Sequence, residues 1–371
     1  MTVFSRLKRL GFTALISSLL MFSLSSNTFA KEGITLTYYI AADEIEWDYA
    51  PTGQNKIMGR DFNEDENVFV KQQNNRIGKT YIKSIYREYT DASFKTLKTR
   101  TAEWEHLGYL GPIVRAGVGD TIKITFKNNL SIPASMHPHG VFYTKSSEGA
   151  MYNDGTSGAD KADDMVKPNA THHYEWLVPE RAGPGPNDPS SIVWMYHSHV
   201  SSPMATNSGL IGPIIISKES GGYASDIDRE FITLFTVTDE NDTYYIDQNI
   251  EKYTNGVEDA DDDDFYESNL MHGMNGYVYG NQPGLTMHKG ERTRWYLIGM
   301  GTEVDLHTPH WHGHTVLHNG NRVDVMELMP ASLKTVDMTL DNEGTWLYHC
   351  HVNDHIKAGM LSLFTVLPEK K

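Results

Sequence analysis

Four non-overlapping His-x-His triplets punctuate this sequence: His137/His139, His197/His199, His310/His312 and His349/His351. In an extended strand, residues i and i+2 face the same way, so each triplet is a two-pronged imidazole ligand. Eight imidazoles are enough for three metal ions with two or three nitrogens each. Imidazole suits copper, zinc, iron and nickel alike, so the histidines alone leave the metal open. The single cysteine narrows it. Cys350 sits inside the last triplet, where alternation sends its sulfur to the face opposite His349 and His351. His355 and Met360 follow in a Cys-x4-His-x4-Met run, and His307 lies three residues before His310. A thiolate, two imidazoles and a weak thioether form a blue-copper electron-transfer site. One peptide segment would then join a one-electron centre to a histidine cluster.

A lone His-x-His is usually incidental; four in a repeated order are not. Met136-His-Pro-His-Gly140 is similar to Pro309-His-Trp-His-Gly313, and Tyr196-His-Ser-His-Val200 to Tyr348-His-Cys-His-Val352. The order is the same in both halves, as a duplicated domain requires. The polar stretch 218–228, with Gly221-Gly222, is the expected joint, giving domains over 31–220 and 221–371. In the first copy Ala134, Ser198, Pro203 and Leu210 stand where the second has His307, Cys350, His355 and Met360, so the first domain is expected to lack blue copper. His106, His172, His173, His288, His314 and His318 fall outside the pattern and read as satisfied or solvated histidines.

The elements that must position these ligands are strands. Thr121 to Lys127 alternates, with Ile122, Ile124 and Phe126 on one face and Asn128-Asn129 as a turn signal. Val336, Met338 and Leu340 alternate likewise, and Leu210–Ser217 and Leu361–Leu367 are apolar runs of buried-strand length. Twenty Tyr, seven Trp and 31 Gly suit strands and turns. The expected class is all-β, two sandwiches in tandem.

Composition bounds the rest. The 371 residues carry 48 acids against 32 bases, a formal charge of −16, which argues against nucleic acid and suits small cations. One cysteine permits no disulfide within the chain. Arg6, Lys8 and Arg9 precede a broken apolar stretch from Leu10 to Leu24, and Thr28 and Ala30 occupy the −3 and −1 positions of a cut after Ala30. Residues 1–30 read as a secretory signal peptide, so the chain is expected to be exported, to periplasm or exterior. No later segment has the apolar length of a membrane span.

The motifs HPHG, YHSH, HTPHWHGH and HCHVNDHIKAGM resemble the four copper motifs of multicopper oxidases. Segments 39–47, 86–93, 106–112 and 267–284 resemble the ceruloplasmin and hephaestin branch in particular. The resemblance covers nearly all of the chain beyond residue 30. It implies two cupredoxin-like Greek-key domains and four coppers per subunit equivalent. His307, Cys350, His355 and Met360 would hold the type 1 copper; His137 and His310 the type 2; and His139, His197, His199, His312, His349 and His351 the type 3 pair. Relatives with six such domains close a ring by joining first to last. Three two-domain chains could close the same ring, so a cyclic homotrimer with clusters between subunits is expected.

For the electron donor, Glu267, His272 and Asp354 resemble the iron-binding residues beside the type 1 copper of ferroxidases. Asp354 directly precedes His355, and the acidic run 258–264 lies just upstream of Glu267. Fe(II) and O2 are therefore the expected substrates. A laccase-like oxidase of phenols or amines would share every copper ligand. A copper nitrite reductase would have no use for eight histidines, and a binding module would have a degraded ligand set. Glu105, Asp120 and Asp305 are candidate proton donors to the cluster.

Overall fold

In the computed structural model, residues 33–257, 260, 262–302 and 304–370 are described. The segment read as a signal peptide, and Glu258, Asp259 and Asp261 of the acidic run, lie outside the described residues. Among them no helix is long and apolar enough to cross a membrane.

The alternation in the sequence becomes the pleat. Strand Thr121–Asn128 buries Ile122, Ile124 and Phe126 on one face. Each such side chain contributes about 1.5–3 kcal/mol by leaving water. This strand lies third in a sheet ordered Thr80–Tyr89, Thr35–Asp48, Thr121–Asn128, Thr171–Leu177. The second sheet runs Val114–Gly117, Ile211–Ser217, Ser191–His197, His137–Pro138. The apolar run Ile211–Ser217 is buried throughout, as its composition requires of a central strand. Between the two sheets lie Tyr86, Phe126, Tyr174, Trp176, Ile214 and Ile216.

From Arg229 onward the architecture recurs. A six-stranded sheet runs Leu270–Met274, Arg229–Asp239, Arg292–Gly299, Leu333–Thr339, Val316–His318, Asn321–Val323. A four-stranded sheet runs Thr286–His288, Leu361–Leu367, Gly344–Cys350, Pro309–Trp311. Their shared core holds Phe235, Trp295, Trp311, Tyr348, Cys350, Met360 and Phe364. Strands up to Ser217 pair only among themselves, as do strands from Arg229. The chain is all-β, built from two cupredoxin-like sandwiches.

A third core joins the halves, packing Val193, Met195, Ile211 and Ile215 against Ile232, Leu234, Tyr296 and Ile298. Buried polar groups fix its register. Lys83 pairs with Glu240, both fully buried, and Tyr49 Oη donates to Glu240 Oε1 at 2.5 Å. Removing either charge would strand the other, a loss of about 3–5 kcal/mol. His106 is fully buried and ties the halves together: its Nδ1 donates to the Glu103 carbonyl at 3.1 Å, and its Nε2 accepts from the Ile232 N–H at 3.1 Å.

That acceptor role requires a neutral ring. Burial, helped by the Arg100 and Arg229 charges, pushes the His106 pKa down to about 4. The unfolded chain takes up this proton near pH 6.5, and the native chain only near 4. Stability is therefore lost progressively as pH falls through that window, by on the order of 3 kcal/mol. Urea unfolding of the wild type should weaken more between pH 6.5 and 4 than that of His106→Gln. Parallel pH curves for the two would contradict this role.

Candidate metal centre

Each His-x-His pair sits where a short edge strand meets the end of a longer one. His137 pairs in register with His197, and His310 with His349. Adjacent strands thus present four rings to one side. In the first quartet, the neighbouring ring centroids among His137, His139, His197 and His199 are 5.1–5.6 Å apart. In the second, the neighbouring centroids among His310, His312, His349 and His351 are 5.0–5.6 Å apart. No ring contact or hydrogen bond joins one quartet to the other among the described residues.

The two quartets share a pattern of tautomer locks. His137 Nδ1 donates to the Glu148 carbonyl at 2.7 Å, and His310 Nδ1 to the Asp324 carbonyl at 3.1 Å. His197 Nδ1 donates to the Ser198 carbonyl at 3.1 Å, and His349 Nδ1 to the Cys350 carbonyl at 2.7 Å. Each lock leaves an Nε2 lone pair free for a metal, which is how ligating histidines are usually held. The Nε2 atoms of His139 and His197 approach to 3.1 Å, as do those of His312 and His349. Burial and mutual repulsion push the pKa of His139 and His349 down to about 4 and of His197 to about 3. These three rings are neutral and ready to ligate at physiological pH. His312 and His351 remain exposed.

A second site lies behind the second quartet. The ligand atoms of His307, Cys350 and His355 lie within 4.8 Å of one another, all buried. His307 Nε2 donates to the Met300 carbonyl at 2.8 Å, while its buried Nδ1 has no partner. An orphaned buried nitrogen beside a thiol is a donor set suited to a metal ion. Cys350 Sγ accepts from the Thr308 N–H at 3.3 Å and lies 3.5 Å from His355 Nδ1. Burial pushes the thiol pKa up, and the Thr308 and Val352 N–H groups pull it back. Met360 is fully buried, and its carbonyl accepts from the Cys350 N–H at 3.1 Å. Sulfur, two imidazoles and a buried thioether fit copper.

The first sandwich repeats this frame without the ligands. The Ser198 N–H donates to the Leu210 carbonyl at 3.1 Å, as Cys350 does to Met360. Ala134 bridges Val166 as His307 bridges Leu328. Ala134, Ser198 and Leu210 are fully buried and offer neither imidazole nor sulfur.

The iron-type residues are less tightly gathered. His272 is buried, its ring 5.4 Å from that of His355, and its Nδ1 donates to the Leu270 carbonyl at 2.9 Å, leaving Nε2 free. Glu267 and Asp354 are exposed, and the three do not form a set within 4.8 Å. Of the candidate proton donors, Asp120 spends both oxygens on Ile34, Gly117, Ser220 and Gly221, so it is a structural carboxylate. Glu105 is exposed on a short 3-10 helix. Asp305 lies near His272, His307 and His355 instead, where its charge favours their protonated forms. The carbonyls of Glu148, Asp324 and Met300 have no signature in a sequence. His106 and His314 are buried rather than solvated, and His314 Nε2 has no partner.

Two multicopper oxidase domain models match the chain, over residues 88–221 and 242–370, each spanning one pair of quartet strands. The chain belongs to the multicopper oxidase family, and copper is the metal that family implies. Within it, the chain is 44% identical to Ferroxidase HEPHL1 of Mus musculus over 342 residues, 90% of this chain and 29% of that protein. It is 43% identical to Hephaestin of Homo sapiens, over 90% of this chain and 30% of the relative, and 43% identical to Ceruloplasmin of Homo sapiens, over 89% and 30%. The chain thus spans about three tenths of the length of these relatives, whose ceruloplasmin and hephaestin type it resembles. Among solved structures, a multicopper oxidase, mgLAC, superposes with a TM-score of 0.58 at 16% identity, over 90% of this chain and 86% of that one. A copper nitrite reductase from Nitrosomonas europaea gives 0.57 at 17%, over 90% and 94%. These two establish the fold alone.

Proposed function

We propose that this chain is the subunit of an exported copper-dependent ferroxidase, which couples 4 Fe(II) + O2 + 4 H+ to 4 Fe(III) + 2 H2O. The observation that carries the reading is Cys350, buried between His307 and His355 and flanked in sequence by His349 and His351 of the second quartet. In this reading His307, Cys350, His355 and Met360 hold the type 1 copper. His137 and His310 hold the type 2 copper, and His139, His197, His199, His312, His349 and His351 the type 3 pair. Copper held by these residues would supply one-electron uptake from a donor and four-electron reduction of O2.

The chain's own residues set the conditions. The carbonyls of Glu148, Asp324, Ser198 and Cys350 hold Nδ1 protons, which keeps Nε2 facing the cluster. The segment His349-Cys350-His351 is the covalent link between the thiolate site and the quartet. Glu267, His272 and Asp354 are the residues we assign to Fe(II); hard carboxylates favour Fe(III) and so draw the oxidation forward. The half-exposed quartets are read as half-sites, completed when residues 31–220 of one chain meet residues 221–371 of the next in a cyclic homotrimer. Residues 1–30 direct export and are removed.

The open spacing of Glu267, His272 and Asp354 favours one second reading, a laccase-like oxidation of phenols. One experiment separates the two. Glu267→Ala should lower Fe(II)-dependent oxygen uptake by about tenfold or more while sparing uptake with a bulky phenol. Equal rates with Fe(II) in wild type and variant would leave the phenol reading standing.

A further inference from the structure

A cavity of about 750 Å³ opens on the first sandwich, between strand Thr80–Tyr89, the segment 97–104 and strand Val114–Gly117, with Tyr223 and Glu230 on its far wall. None of the residues assigned to copper or iron lines it. Its volume is that of a small-molecule site, and its walls include the rings of Tyr38, Trp104 and Tyr223.

The charges on the lining cancel in pairs, with two exceptions. Arg87 pairs with Asp43 at 2.7 Å, Lys98 with Glu88 at 2.8 Å, and Arg115 with Glu230 at 2.7 Å. The Arg115 guanidinium is further fixed between the rings of Trp104 and Tyr223, at 5.2 and 5.1 Å. Among the described residues Arg100 has no carboxylate within 4.0 Å; its two Nη groups donate to the carbonyls of Gly108 and Leu110, at 2.7 Å each. Glu103, on the exposed rim three residues on, forms no ion pair among the described residues either. The cavity therefore presents one uncompensated cation, one uncompensated anion and aromatic walls.

We propose that this cavity binds an aromatic α-amino acid as its zwitterion. The carboxylate meets Arg100, the ammonium meets Glu103, and the ring lies against the aromatic wall. A charge-assisted contact at each end orients the ligand, and the apolar wall supplies affinity by burying the ring.

Calorimetric titration of the copper-loaded protein under argon tests this with three probes. They are L-phenylalanine, phenethylamine, which lacks the carboxylate, and 3-phenylpropionate, which lacks the ammonium. The expected result is one phenylalanine per chain, with each single-charge analogue at least about tenfold weaker. Arg100→Gln should bring phenylalanine down to the affinity of phenethylamine and leave phenethylamine unchanged. Arg100→Lys should keep part of the discrimination. Glu103→Gln, on the exposed rim where folding is not at stake, should bring phenylalanine down to the affinity of 3-phenylpropionate. No saturable binding up to millimolar phenylalanine, or variants that weaken all three probes alike, would overturn the proposal.

Discussion

Cys350→Ser is expected to abolish the blue absorption of the protein and to lower oxygen uptake by about three orders of magnitude, about 4 kcal/mol in activation free energy. A serine hydroxyl has no soft sulfur, so the proposed type 1 site would lose the ligand that selects copper and gives it its colour. The fold should survive the change. The first sandwich already carries Ser198 in the same frame, fully buried, its Oγ accepting from the Ser135 N–H at 3.2 Å. In the second sandwich the Thr308 N–H is placed to donate to the new hydroxyl as it now does to Cys350 Sγ. Copper analysis should find about one ion of four lost per chain equivalent, with the quartets still occupied. A colourless variant with full oxygen uptake would mean that electrons do not enter through Cys350.

The second large effect concerns where the cluster is assembled. A chain carrying His139→Ala and His197→Ala lacks a working first quartet. A chain carrying His312→Ala and His349→Ala lacks a working second one. Each alone should be inactive. If every cluster pairs the first quartet of one chain with the second quartet of its neighbour, trimers formed from an equal mixture regain intact clusters. Random assembly places two intact halves together at about one interface in four, so about a quarter of wild-type activity should return. The structural reason is that the quartets have no contact within one chain, and His312 and His351 are left exposed. Activity confined to unmixed wild type would place the whole cluster within a single chain.

Much of the geometry of the candidate site is legible in the sequence because its signals are periodic or chemically rare. The His-x-His spacing needs only strand geometry, and the structure pairs His137 with His197 and His310 with His349 in register. The alternation at Ile122, Ile124 and Phe126 needs only a one-sided core, and those residues are buried as expected. Cys350 is a lone sulfur among imidazoles, and spacing gathers His307 and His355 around it. What stayed hidden depends on groups that every residue possesses. The carbonyls of Glu148, Asp324 and Met300 lock imidazole tautomers, yet a carbonyl carries no residue identity. The polar contacts that pack one sandwich on the other are equally hidden. A lysine, a glutamate and a histidine read as surface residues until tertiary contact buries Lys83, Glu240 and His106 together with their partners. Asp120 and Asp305 illustrate the same limit, since a carboxylate in a sequence does not reveal which N–H groups or rings it will face.

The most direct test is the stoichiometry of oxygen consumption by the copper-loaded wild type with Fe(II), followed with an oxygen electrode alongside Fe(III) formation. Four-electron reduction predicts about four Fe(II) oxidised per O2 consumed, no hydrogen peroxide, and complete loss of the rate when copper is removed by chelation. A ratio of about two Fe(II) per O2 with peroxide accumulating, or a rate that persists without copper, would contradict a four-electron copper ferroxidase.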